Sequence, residues 1–266
     1  MKNINTLMSS DCSRIRGILF DIDDTLTLEG KIPAAAFNAL WDLHGAGLIL
    51  VPLTGRPAGW CDHIARMWPV DGVVGENGAF YYYYDRDVHR LRRRYISTPE
   101  EIADKRKRLD VIKYEVLQKV PGARVSADQP FRIFDLAIDF CEDVPALKDA
   151  EIEEICRIFS AHGATYKVSS IHVNGWYGDY NKLHTAKLFL QERLSLSWEH
   201  ASDTFMFAGD SPNDEPMFQA MKLTVGVANV RQFAGRMKHL PVYITNESGG
   251  LGFAEVAARI IQLKNK

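Results

Sequence analysis

The sequence predicts an α/β fold, a doubly wound parallel sheet interrupted by an inserted α+β unit, and three observations predict it. Short apolar runs at Ile18 to Phe20, Leu48 to Leu53 and Thr204 to Ala208 each end in polar residues, the pattern of buried parallel strands that open on a crevice at their carboxyl ends. Helical periodicities separate these runs. Between about Tyr81 and Trp176 the character changes to an alternating strand, Phe131 to Phe140, and an amphipathic helix with Leu147, Ile152, Ile155 and Phe159 on one side. The expected organisation is a discontinuous core, residues 1–80 and 177–266, around an inserted α+β cap, residues 81–176.

Taken in order, Gly17 to Phe20 forms the first core strand and releases Asp21-Ile22-Asp23-Asp24-Thr25. Pro33 opens a helix through Phe37, Leu40 and Trp41, which Gly45 and Gly47 stop. The strand Leu48 to Leu53 ends at Thr54-Gly55-Arg56, a helix covers roughly Pro57 to Met67, and a strand follows at Val73 and Val74. Tyr81 to Tyr84 fits a strand with one buried face better than a stacking platform, and Arg90, Arg92, Arg93 and Arg94 fit a solvated strand face. Within the insert, Asp135 and Asp139 alternate with Leu136 and Ile138 and are expected to face solvent. The β-α pattern resumes with Lys182 at the head of a helix through Leu183, Ala186 and Leu190. It continues through the strand that ends in Gly209-Asp210-Ser211-Pro212-Asn213-Asp214, strands near Val225 and Val242, and a final helix from about Phe253.

If the three strands are neighbours, their polar ends share one crevice. Like-charged carboxylates two residues apart repel, and a divalent cation between them relieves this. Asp21, Asp23, Asp210 and Asp214 suit Mg2+, a hard ion that takes oxygen ligands and pairs with phosphate. Thr54, Lys182 and Asn213 can donate to phosphate oxygens, with Arg56 a further candidate. Asp21 is then the nucleophile that forms an aspartyl-phosphate, and Asp23 protonates the leaving oxygen and later activates water. Each residue also has a structural reading: Thr54 could cap the helix near Pro57, and Lys182 could be a solvated helix lysine.

These residues resemble the four motifs of the haloacid dehalogenase (HAD) superfamily: Asp21-x-Asp23-x-Thr25, Thr54, Lys182 and Gly209-Asp210-x-x-Asn213-Asp214, in that order. The resemblance covers the whole chain. It implies a metal held by the Asp21 carboxylate, the Asp23 backbone carbonyl and Asp210, with Asp214 in the outer shell, and a large type IIB cap between the second and third motifs. Within that branch, Gly75-Glu76-Asn77-Gly78-Ala79 and Gly209 to Phe218 are most similar to sucrose-phosphate and mannosylglycerate-phosphate phosphatases, with trehalose-phosphate phosphatases also similar. Two departures stand out. Asp24 occupies a position where many members carry glycine, and Lys182 lacks the glycine that often follows it, which leaves Lys187 a weaker candidate for the same role.

The expected activity is Mg2+-dependent hydrolysis of a phosphate monoester, a sugar phosphate, with Asn77, His172 and Asn174 as candidate specificity residues. A phosphomutase on the same scaffold is the alternative, suggested by Gly175-Trp176-Tyr177-Gly178, and a non-catalytic binding module is the second. His172 could equally be a satisfied structural histidine. With 32 basic against 34 acidic residues there is no global field to draw nucleic acid or an anionic membrane, so a small phosphorylated molecule is the expected partner. The eight histidines form no His-x-x-x-His pair and the four cysteines no metal spacing, which argues against zinc. Met1 to Arg16 lacks an apolar stretch for a signal peptide and no run is long enough to cross a membrane, so a cytoplasmic monomer or small homo-oligomer is expected.

Overall fold

The computed structural model describes residues 1–169 and 171–265; Ser170 in the insert and Lys266 at the end of the expected core lie outside the described residues. The first strands are β1 (Lys2–Asn3), β2 (Gly17–Phe20) and β3 (Ile49–Pro52), with helices α1 (Ser9–Cys12), α2 (Ala34–Gly45) and α3 (Ala58–Met67) between and after them. A meander of β4 (Val73–Gly75), β5 (Phe80–Asp85) and β6 (Arg90–Tyr95) follows. Next come α4 (Pro99–Lys119), β7 (Arg124–Val125), β8 (Leu136–Asp139), α5 (Asp149–Ala161), β9 (Thr165–Val168) and β10 (His172–Trp176). The chain then returns through α6 (Lys182–Leu194), α7 (Trp198–Thr204), β11 (Phe205–Gly209), α8 (Glu215–Ala220), β12 (Leu223–Gly226), β13 (Tyr243–Ile244) and α9 (Gly249–Lys264).

The main sheet runs β1-β13-β12-β11-β2-β3 with every pairing parallel. Its central strands are apolar throughout because both faces are covered. Ile18, Phe20, Leu50, Met206 and Ala208 point into one cluster with α2, α3 and α9, whereas Leu19, Val51, Phe205 and Phe207 point into the opposite one with α6 and α8. Alternation along each strand thus feeds two hydrophobic layers. The bridge between Leu53 and Val74 carries the sheet on into the antiparallel β4-β5-β6 meander.

A third cluster, including Leu109, Ile112, Ile138, Ile155, Phe159 and Val173, packs α4 and α5 on a separate antiparallel sheet, β7-β8-β10-β9. Tyr81 and Tyr82 are not part of it. They lie in the two clusters of the main sheet, so the change of character at Tyr81 marks an added hairpin whose strands bury more than one face. The exposed arginines 90, 92, 93 and 94 match the solvated strand expected. The 21-residue α4 has no counterpart in the sequence reading, although Thr98-Pro99-Glu100-Glu101 is a capping box with proline at the first helical position.

Asp135 and Asp139 do not face solvent; they are 0% and 1% exposed. β8 is buried at every position, with Leu136 and Ile138 packed among α4 and α5, so alternation there does not separate inside from outside. Asp135 pairs with Arg132 at 3.0 Å and accepts from Asn174 Nδ2 at 3.1 Å. Asp139 accepts the backbone N–H groups of Cys141, Glu142 and Asp143 at 2.8–2.9 Å and so shapes the loop after β8.

Candidate active site

Adjacent parallel strands bring the carboxyl ends of β2, β3 and β11 together. The Asp21 N–H donates to Ala208 O at 2.9 Å, one residue beyond the strand, which fixes Asp21 at the mouth of the sheet. The chain then turns through Asp24 at φ 58°, a left-handed conformation tolerated by aspartate, with its N–H bonded to Thr27 Oγ1 at 2.8 Å. At the end of β11, Gly209 makes room for Asp214: a Cβ there would lie 2.6 Å from Asp214 Oδ2. That oxygen accepts the N–H groups of Asp210 at 3.0 Å and Ser211 at 3.3 Å.

Lys182 opens α6 just after Asn181, whose side chain caps the helix. A cation at a helix N-terminus opposes the macrodipole, so this placement needs another reason. The buried ammonium lies 2.5 Å from Asp21 Oδ1 and 3.1 Å from Asp214 Oδ1. Lys187, the weaker candidate, instead stacks over Trp198 at 4.8 Å.

Carboxylate oxygens of Asp21, Asp210 and Asp214 lie within 4.8 Å of one another, all three residues buried, close enough to hold a metal ion. Burial, with Asp214 and Asp23 adding repulsion against the pull of Lys182, drives the Asp21 pKa far above the ordinary carboxylate range; burial and the neighbouring aspartates do the same to Asp210. Burial alone would lower the Lys182 pKa, but the two carboxylates outweigh it and hold the ammonium protonated. Three carboxylates against one ammonium leave a deficit of positive charge. The donor set is all oxygen, which fits a hard divalent cation such as Mg2+.

The Asp23 carboxylate lies outside this cluster. Its Oδ1 accepts from Arg56 Nε at 2.9 Å, and Arg56 Nη2 is 2.7 Å away. Arg56 also stacks on Trp60 at 4.5 Å and comes within 3.7 Å of Glu142 of the insert, so here it grips Asp23. The Thr54 hydroxyl accepts the Arg56 N–H at 3.0 Å. It does not cap α3, because the Ala58 N–H at the head of that helix donates to Glu76 Oε1 at 3.0 Å. Asn213 is half-buried in the turn that carries Asp214.

A crevice of about 600 Å³ joins these groups to the insert; Asp21, Asp210, Asn213, Asn77, His172 and Asn174 all line it. His172 is buried, and burial followed by nearby Arg132 lowers its pKa. Its Nε2 is 2.9 Å from Glu142 Oε2, yet the nitrogen is buried and has no hydrogen-bond partner among the described residues. Asn77, at φ 58°, donates its N–H to Thr54 O and lays its side chain against Gly55.

Sequence reasoning missed the junction. Glu76 is fully buried, and besides Ala58 it accepts the N–H groups of Ile133, Phe134 and Asp135 at 2.6–3.1 Å, tying the insert's backbone to the core. Arg132 bonds both oxygens of Asp128 at 2.8 and 2.9 Å and reaches Gly55 O at 3.0 Å. The signal for Glu76 was its place between Gly75 and Asn77-Gly78, where a buried carboxylate in a tight turn must collect backbone donors.

No family model and no curated protein sequence matches the chain. Solved structures do match. A phosphatase of the haloalkanoate (HAD) enzyme superfamily from Bacteroides thetaiotaomicron is 18% identical with a TM-score of 0.60, covering 94% of both chains. The sucrose-phosphatase of Synechocystis, solved with sucrose and phosphate, is 16% identical at TM-score 0.60 over 92% of this chain and 98% of its own. A HAD subclass IIB sugar phosphatase is 14% identical at TM-score 0.62 over 94% and 99%. Fold and crevice define a doubly wound α/β protein with a covered carboxylate site at the strand ends. The chain has the fold of the HAD superfamily hydrolases, as the motifs imply.

Proposed function

We propose that the chain is a Mg2+-dependent phosphatase that hydrolyses a phosphate monoester, a sugar phosphate, through an aspartyl-phosphate on Asp21. The observation that carries this reading is Lys182 bridging Asp21 and Asp214 with the Asp210 carboxylate beside them. Asp21, Asp210 and the Asp23 backbone carbonyl would hold Mg2+, with Asp214 behind them; bound there, the ion neutralises phosphate charge and keeps Asp21 ionised.

The Asp21 carboxylate attacks phosphorus while Asp23 gives a proton to the departing alkoxide. Asp23 then takes a proton from water, which attacks the aspartyl-phosphate and frees inorganic phosphate and Asp21. Because the Thr54 oxygen accepts from the Arg56 N–H, its own proton is free to donate to a phosphate oxygen, as are the amide of Asn213 and the ammonium of Lys182. Arg56 holds Asp23 in place rather than binding phosphate. The cap runs from about Ser97 to about Gly178, since the β5-β6 hairpin packs with the core. It excludes water from the first step and offers His172 and Asn174, which with Asn77 of the core would meet the hydroxyls of the leaving sugar.

Phosphate release from a panel of sugar phosphates, phosphoglycerates and nucleotides tests the reading. Turnover should require Mg2+ and stop with chelator; full activity after exhaustive chelation, or support by Zn2+ alone, would overturn it. A requirement for a bisphosphate activator, with phosphate returned to sugar, would favour the mutase.

A further inference from the structure

We propose that Asn229 is a positioning residue that presets Asp210 for the cation, an inference that rests on the Mg2+ reading above. Asn229 lies in the turn of 3-10 helix Ala228–Arg236 that follows β12, half-buried, and no motif contains it. Its Nδ2 donates to Asp210 Oδ2 at 3.1 Å and to the Asp24 carbonyl at 3.0 Å, and its Oδ1 accepts the Gly249 N–H at 3.0 Å. The amide orientation is forced, since the Asp24 carbonyl can only accept and the Gly249 N–H can only donate.

The other oxygen of Asp210 accepts from Thr25 Oγ1 at 3.1 Å. Each oxygen of this carboxylate is therefore held by one donor, which fixes its plane and leaves lone pairs for a metal. Without Asn229, repulsion from Asp21 and Asp214 would turn Asp210 toward the water of the crevice. The same amide reaches the left-handed Asp24, in the loop that carries Asp21 and Asp23, and the head of α9. There Gly249 sits at φ 52°, and a Cβ would lie 2.3 Å from Thr27 O. One side chain thus ties both carboxylate loops and a helix terminus into one frame. Partners of this kind behind a metal ligand typically change metal affinity about 10- to 100-fold.

A purely structural alternative is that Asn229 only holds the strained Asp24 backbone, so the test separates the two. Thermal unfolding against Mg2+ concentration, with Mg2+ as the only ligand, is measured for wild type, Asn229→Ala, Asn229→Ser, Asp24→Gly and the double variant Asn229→Ala with Asp24→Gly. The serine variant is milder, keeps a polar group too short to reach Asp210, and carries the test should the alanine variant not fold. The Mg2+ concentration for a half-maximal shift should rise about tenfold or more in both Asn229 variants. Asp24→Gly should restore midpoint stability in chelator but not Mg2+ affinity. An unchanged Mg2+ response in the Asn229 variants, or its full recovery on adding Asp24→Gly, overturns the inference while leaving the Mg2+ reading intact. A wild type with no Mg2+-dependent shift overturns both.

Discussion

Asp21→Asn should abolish turnover and, in the absence of metal, make the chain more stable. In metal-free protein the Asp21 charge stands within 4.8 Å of both Asp210 and Asp214. At an effective dielectric constant of 20 each such pair repels by at least about 3.5 kcal/mol, roughly 7 kcal/mol together. The Lys182 ammonium at 2.5 Å returns about 7 kcal/mol on the same scale. The two nearly cancel, so the outcome turns on desolvation, several kcal/mol for a buried carboxylate and less for an amide that still accepts from Lys182. A net gain of about 2 kcal/mol is expected, roughly 5 °C in the thermal midpoint for a chain of this size. Because burial raises the folded-state pKa of Asp21, the wild type loses stability as pH climbs from the unfolded value upward through neutral. The gap between variant and wild type should therefore be absent near the acid end and widen toward pH 8. The assay is thermal unfolding in chelator across that pH range, repeated in excess Mg2+. There the wild type should rise more than the variant, because it alone retains the third carboxylate. An Asp21→Asn protein less stable than wild type in chelator at neutral pH would refute this account of the cluster.

Asp23→Asn should lose turnover by about 100-fold or more through failed proton transfer, yet keep Mg2+ binding, since its carboxylate is engaged by Arg56 and only the backbone is offered to the metal. Steady-state rates with a Mg2+ thermal titration check both halves, and loss of the Mg2+ shift would contradict the assignment. His172→Ala and Asn174→Ala should reorder the relative kcat/KM values among sugar phosphates by about 10-fold while sparing a small aryl phosphate, whose leaving group needs little help. An unchanged ranking would move specificity to the core loops near Gly55 and Asn77.

Much of this site could be read from sequence because its parts are local. Asp21, Thr54 and Asp210 each terminate a run buried on both faces, and strand ends in a parallel sheet converge by construction. Lys182 was legible from its position at a helix start. The junction was not. Asp135 and Asp139 were assigned to solvent because period-two alternation assumes one wet face, and β8 has none. The pairing of Arg56 with Asp23 leaves no trace in the sequence, because the two are 33 residues apart and only the fold brings them together. Glu76 and Asn229 escape for the same reason: their partners are distant in sequence, and such contacts leave no periodic signature.

The order of strands in the main sheet also bears on how the chain is made. β2, which carries Asp21, is bordered on one edge by β3 and on the other by β11, whose residues leave the ribosome only after some 180 more have been added. Through that interval the hairpin, α4 and the antiparallel sheet of the insert can complete their own local contacts, while one edge of an apolar central strand stays unpaired. Closing the sheet is then a late, long-range event, and an exposed strand edge is a template for pairing with other chains. The chemistry and the vulnerability of a nascent copy share an origin. The carboxylate crevice therefore closes only when the sheet does, because Asp21 and Asp210 follow neighbouring strands that lie far apart along the chain.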